Sequence, residues 1–183
     1  MSFALTLDPV LGHGLAASLA LILLPGALHK LRDPALFQAA MEQYGLLPAR
    51  WVPAAAWTLS LLELAAGLCL LPWPTRAVGA LLALLVLSVA STAVAMAWQQ
   101  GRRRIDCGCG AGVGLRLSPG LLWRNAVLLA CALLTLLPLS ARPVGWPDGL
   151  ATCAVTLFSM GLYAVVNQLL ANQPRLQELR NAP

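Results

Sequence analysis

The sequence predicts an all-α protein, a polytopic membrane helical bundle of about five transmembrane helices with a short interfacial helix. Three observations lead there. Of 183 residues, 59% are hydrophobic and only 10% charged, too little polar surface to cover a soluble globule of that size. Five apolar stretches, Val10 to Leu31, Trp51 to Leu71, Ala77 to Trp98, Leu121 to Leu139 and Leu150 to Leu170, are each long enough to cross a hydrocarbon core of about 30 Å. Trp51, Trp73, Trp98, Trp123 and Trp146 fall at the ends of these stretches, where amphipathic indoles collect at the membrane boundary.

The first stretch is expected to persist as a helix rather than serve as a signal peptide. The residues before it include Asp8 and no Lys or Arg, and no small-x-small cleavage pattern follows. Asp33-Pro34 then reads as an N-cap with proline at the first helical position, and Gly45 with Pro48 as a stop. Between them Leu36, Phe37, Ala40, Met41 and Tyr44 share one face, which suits a helix lying in the interface plane or packed on the bundle. The link Pro72-Trp73-Pro74-Thr75-Arg76 is so short that the second and third spans must be antiparallel neighbours. Small residues at helical spacing, Gly12, Ala16 and Ala20 in the first span and Gly79 and Ala83 in the third, let backbones approach where lipid offers no hydrophobic drive for association. Ser118-Pro119 is expected to cap the fourth span. The chain 1–183 reads as one integral membrane domain, with 141–183 supplying a fifth helix and a cytoplasmic tail.

The formal net charge of +5 does not point to nucleic acid, because the basic residues lie between apolar spans, where they set topology. In a five-span arrangement Lys30, Arg32, Arg50, Arg102, Arg103, Arg104, Arg116, Arg124, Arg175 and Arg180 fall on one side, and Arg76 and Arg142 on the other. That asymmetry predicts an N-terminus outside, a C-terminus inside and the 102–117 loop on the cytoplasmic face.

That loop carries Cys107-Gly108-Cys109 beside Arg102-Arg103-Arg104. Two thiols one residue apart can form a small, strained disulfide, and strained disulfides are the exchange-competent ones. The arginines, Arg104 above all, favour the thiolate, and Asp106 opposes it. A redox dithiol is the sharp reading; two thiols that happen to be loop neighbours is the bland one. A metal site would need two further ligands, and the loop holds neither a second Cys pair nor a His. Glu63 stands about twelve residues, roughly 18 Å, into the second span, and a carboxylate there must be protonated, paired or set in a polar cavity. Lys30, next to His29, is its candidate partner. The pair serves either as an interhelical clamp or in proton or quinone handling. Cys69, Cys131 and Cys153 read as small buried apolar residues or as a relay toward the other membrane face; the span of about 30 Å argues against a simple relay, since exchange requires sulfur contact.

Taken together, His29-Lys30, Asp33-Pro34, Tyr44-Gly45-Leu46-Leu47-Pro48, Glu63-Leu64-Ala65-Ala66-Gly67, Ile105-Asp106-Cys107-Gly108-Cys109 and Arg124-Asn125 resemble the MauE family of methylamine utilisation proteins, within the wider DoxX-like membrane proteins. The likeness covers roughly residues 10–140. In the family Cys-Gly-Cys is commonly followed by Phe-Gly, whereas Gly110-Ala111-Gly112 follows here. The resemblance implies a four-helix DoxX-like core plus a C-terminal helix. It also implies a part in maturing the disulfide-rich small (β) subunit of periplasmic methylamine dehydrogenase, with a thioredoxin-like, MauD-type partner. In that reading the protein is an accessory to thiol-disulfide oxidoreduction with no certain cofactor. A periplasmic client sits awkwardly with a cytoplasmic dithiol, so either the loop exchanges electrons with the cytoplasm or it dips into the membrane. Two other classes are a quinone-linked oxidoreductase subunit, with Glu63 handling protons, and a non-redox membrane scaffold.

Overall fold

A computed structural model of the chain describes residues 6–101 and 118–180, with side chains through residue 172. Among these residues six α-helices follow one another: α1 (Pro9–Arg32), α2 (Pro34–Tyr44), α3 (Val52–Leu70), α4 (Arg76–Gln99), α5 (Pro119–Leu134) and α6 (Trp146–Arg180). Single 3₁₀ turns, Ala49–Trp51 and Trp73–Thr75, lead into α3 and α4.

Four of these helices form an up-down core. α1 packs on α3, α3 on α4 and α4 on α5, and α5 closes back on α1. Ala16, Leu19, Ala20 and Leu23 of α1 meet Ala66 and Leu70 of α3, Ala80, Ala83 and Leu87 of α4, and Leu128 and Ala132 of α5. The prevalence of alanine here follows from the solvent: lipid is as apolar as leucine, so association depends on close packing. Gly79 marks the tightest approach. A β-carbon there would lie 2.5 Å from the Leu70 amide nitrogen and 2.7 Å from the Cys69 carbonyl carbon, backbone atoms that cannot move aside cheaply. Gly79→Val is therefore expected to cost about 1–3 kcal/mol or more through overpacking, read as a lowered melting temperature in detergent.

α6 lies outside this core. It packs mainly along α1 and touches α5 little, and Leu150, Leu157, Phe158, Leu162, Val165 and Leu169 remain exposed. Four helical segments, Pro9–Arg32, Ala49–Leu70, Trp73–Gln99 and Trp146–Asn172, are long and apolar enough to cross a membrane, and α5 is a shorter apolar helix. The protein is a multi-pass membrane bundle of four to five spanning helices.

The fourth span ends earlier than hydropathy suggests. Instead of running to Leu139, α5 stops at Leu134, because Pro138 has no amide proton to donate and its ring biases Leu137 away from helical geometry. The residues released pair elsewhere. The Leu7 amide donates to the Pro138 carbonyl and the Ser140 amide to the Leu7 carbonyl, both at 2.9 Å, an isolated parallel bridge of Leu7 with Leu139.

The two ends of the bundle differ in chemistry. At one, Asp8 caps α1 by accepting from the Val10 amide at 2.9 Å, and Arg142 binds both Asp8 oxygens at 3.0 and 3.1 Å and Asp148 at 2.7 Å. The Arg142 hydrogen bonds, then the Val10 amide, hold the Asp8 carboxyl below the usual carboxylate range. A depressed folded-state value means that this clasp stabilises above the ordinary carboxylate pKa and is lost as pH falls through the lower, folded value. Acidification from about pH 4 downward is expected to lower the melting temperature, and Arg142→Gln to blunt that response.

At the opposite end α2 closes the bundle. The Asp33 side chain accepts from the Leu36 amide at 3.0 Å, Pro34 takes the first helical position, and Gly45 ends the helix at φ 61°, ψ 26°, the left-handed geometry glycine adopts freely. Of the apolar face, Phe37, Ala40 and Tyr44 are buried while Leu36 is exposed, so α2 packs on the bundle, chiefly against α3. Tyr44 joins Val94 and Ala97 from the last turns of α4, Leu121 from the first turn of α5, and Leu170 of α6. The described residues flanking segment 102–117 thus lie at this end. Ser118 occupies the N-cap position with extended backbone but makes no side-chain capping bond, and its buried hydroxyl has no partner among the described residues.

Candidate functional site

The α2 end gathers the ionisable groups that the sequence places inside or beside apolar spans. Lys30 lies in the last turn of α1, where the helix dipole favours a cation. Glu63 faces it from α3, and the Lys30 ammonium donates to Glu63 Oε2 in a buried ion pair. Lys30 is 8% and Glu63 6% exposed, so neither charge is compensated by solvent. The Phe37 ring of α2 lies 5.2 Å from Lys30 Nζ, a cation–π distance. Three helices therefore converge on one ammonium: α1 carries it, α3 neutralises it and α2 covers it. His29, its sequence neighbour, is exposed.

A second cluster at the same end was not anticipated as a unit. Arg124, in the second turn of α5 and 7% exposed, donates to Asn125 Oδ1 from Nε and Nη2 at 3.3 and 3.1 Å, and to Asn167 Oδ1 of α6 from Nη1 at 2.8 Å. Its guanidinium carbon lies 5.7 Å from the Tyr163 ring centroid. The bond to Asn167 and the Tyr163 ring tie α6 to α5 where the two helices otherwise barely touch, and the bonds to Asn125 fix the guanidinium on α5. In the sequence Arg124-Asn125 reads as the polar opening of a span and as part of the family resemblance, with no partner assigned. The missing signal was Asn167, an amide 43 residues downstream in the last apolar helix, for which no spacing rule selects a partner.

Arg76 is a third buried cation, at the Asp8 end. Its guanidinium stacks 4.4 Å from the Trp73 ring centroid, one nitrogen reaches the Leu137 carbonyl at 3.5 Å, and Nη1 has no hydrogen-bond partner among the described residues.

The cysteines distribute unevenly. Cys107 and Cys109, with Asp106, Arg104 and the neighbouring arginines, lie outside the described residues. Cys69 is half-buried near the end of α3, Cys131 half-buried in α5 and Cys153 exposed on α6; all three are free thiols. Cys69 sits at the α3–α4 turn, where its carbonyl accepts from Thr75 Oγ1 at 2.9 Å. Cys131 lines a cleft between α1, α5 and α6. Among the described residues no group of three or more His, Cys, Asp or Glu side chains could hold a metal ion.

Comparison with known proteins places this arrangement. The family model described as methylamine utilisation protein MauE matches residues 8–138, from the cap of α1 to the proline that follows α5. That interval includes Lys30, Glu63, Arg124 and the Cys107-Gly108-Cys109 segment, and excludes α6. The methylamine utilization protein MauE of Methylophilus methylotrophus is 34% identical over 101 residues, covering 55% of this chain and 53% of the relative. The chain spans about half the length of that curated relative. No solved structure matches the chain. Because the family model covers the whole four-helix core, from Asp8 to Pro138, the chain belongs to the MauE family.

Proposed function

We propose that this protein is an inner-membrane accessory of methylamine utilisation that assists thiol-disulfide chemistry during maturation of a disulfide-rich periplasmic client, the small subunit of methylamine dehydrogenase. The observation that carries the reading is the family match itself. It runs through residues 8–138 without excluding Cys107-Gly108-Cys109, and the relative is named for methylamine utilization.

Cys107 and Cys109 are the exchanging pair. A thiolate of a thioredoxin-like partner attacks one sulfur of a Cys107–Cys109 disulfide, a mixed disulfide forms, and the partner's second thiolate displaces it. The partner leaves oxidised, and two electrons and two protons remain on the Cys107–Cys109 dithiol. The reverse sequence uses the same steps. Arg102, Arg103 and Arg104 favour the attacking thiolate, with Asp106 moderating them.

Lys30 and Glu63 hold α1 to α3 at the end of the bundle from which segment 102–117 emerges, so their role is to organise the scaffold that presents the dithiol. Positive residues concentrate toward this end, which supports a cytoplasmic dithiol; a periplasmic client is then reached through a carrier. The test is client maturation in cells producing Cys107→Ser/Cys109→Ser. The expected result is an immature, unstable small subunit with normal levels of the variant itself, and wild-type maturation would refute the proposal.

A further inference from the structure

α1, α5 and α6 enclose an apolar cleft of about 290 Å³, close to the lower bound of about 300 Å³ for ligand pockets. Leu19, Ile22, Val127, Leu128 and Leu162 form much of its wall, and a single cation, Arg124, enters it. The cleft exists because α6 rests on α1 and leaves α5 largely uncovered.

Arg124 is unusual in its charge balance. The ion pairs among the described residues join Lys30 to Glu63 and Arg142 to Asp8 and Asp148; within the same residues Arg124 meets the neutral carboxamides of Asn125 and Asn167 and the Tyr163 ring, and no carboxylate. A guanidinium carries five N–H groups, and these three bonds leave two without an acceptor among the described residues. A buried cation with no counter-charge among the described residues is costly unless an anion joins it, and a planar fork with unspent donors matches a phosphate. Depth agrees with this. Arg124 lies five residues, about 7.5 Å, from the start of α5, beside Trp123, which is 73% exposed and suits the headgroup boundary.

We propose that this cleft binds an anionic phospholipid, its phosphate on Arg124 and one acyl chain along the apolar wall. The lipid supplies the missing negative charge and fills the gap between α5 and α6, so α6 is held on the core in part by a bilayer component. A neutral quinone could accept a hydrogen bond from Arg124 but would leave the charge uncompensated, which is why the observations favour the anion.

The test uses the full chain purified in a mild, uncharged detergent, with native mass spectrometry of retained lipid and melting curves on adding phosphatidylglycerol, phosphatidylcholine or ubiquinone. About one phosphatidylglycerol-class lipid should survive detergent exchange per chain, and phosphatidylglycerol alone should raise the melting temperature. Arg124→Gln should weaken retention at least about tenfold, or about 1.4 kcal/mol. Because that change also loosens the bond to Asn167, Leu162→Trp provides a second variant, filling the cleft while leaving Arg124 intact; it should likewise expel the lipid while α6 stays folded. Equal stabilisation by phosphatidylcholine, retention of quinone in place of lipid, or undiminished phosphatidylglycerol binding by Leu162→Trp would each overturn the proposal.

Discussion

Glu63→Leu is expected to destabilise the bundle by about 3–5 kcal/mol, because it strands the Lys30 ammonium in a buried setting without its counter-charge. The loss should appear as a sharply lowered melting temperature in detergent and a reduced level in the membrane. Lys30→Met should do comparable damage from the other side, leaving the carboxylate alone. The double variant Lys30→Met/Glu63→Leu is the informative one. Replacing both charges by apolar groups of similar volume removes the unpaired charge, so most of the stability should return. If the double variant is stable and still supports client maturation, the pair acts as the scaffold clamp described above. Were it stable but inactive, Lys30 and Glu63 would take part in the chemistry itself. Failure of the double variant to recover would mean that the pair is held by more than mutual charge neutralisation.

The second large effect concerns the dithiol. Of Cys107→Ser and Cys109→Ser, one is expected to accumulate a mixed disulfide with the oxidised thioredoxin-like partner: its remaining thiolate attacks the partner's disulfide, releasing one partner thiol, and the second thiol of the pair that would complete this reverse exchange is absent. The adduct should migrate as a larger species that collapses on reduction, and it should vanish in the double variant. The single variant that accumulates the adduct identifies which cysteine faces the partner, since its remaining thiol is the one joined to it.

Much of the scaffold was legible in the sequence for identifiable reasons. The first three spans follow from apolar length alone, and their ends from Asp33-Pro34, Gly45 and the Pro72–Thr75 link, each a local device whose chemistry acts within a few residues; the Asp8 cap of α1 is a finding of the structure. Lys30 and Glu63 could be matched because few ionisable residues sit that deep, and a buried charge demands a partner. The misjudged element was the end of α5: hydropathy continues smoothly to Leu139, while the break depends on Pro138 and on strand-like pairing with Leu7, a partner more than a hundred residues away. The Arg124 cluster was hidden for a similar reason. Asn125 was visible as a neighbour, but Asn167 and Tyr163 approach only because α6 lies along α1, a placement that no local pattern encodes. For α2 the pattern allowed two environments. Phe37 and Tyr44 bury themselves against the bundle, and this covers the Lys30–Glu63 pair.

The proposed cycling of Cys107 and Cys109 between dithiol and disulfide can be read directly in cells. Cells expressing the protein with an intact methylamine dehydrogenase system can be quenched in acid and alkylated with a mass-tagged maleimide before and after reduction, with Cys69, Cys131 and Cys153 replaced by alanine so that only the pair reports. Cycling predicts two populations differing by two tags, with the oxidised fraction shifting when the thioredoxin-like partner is deleted. A pair that stays fully reduced with and without that partner, while the client still matures, would contradict it.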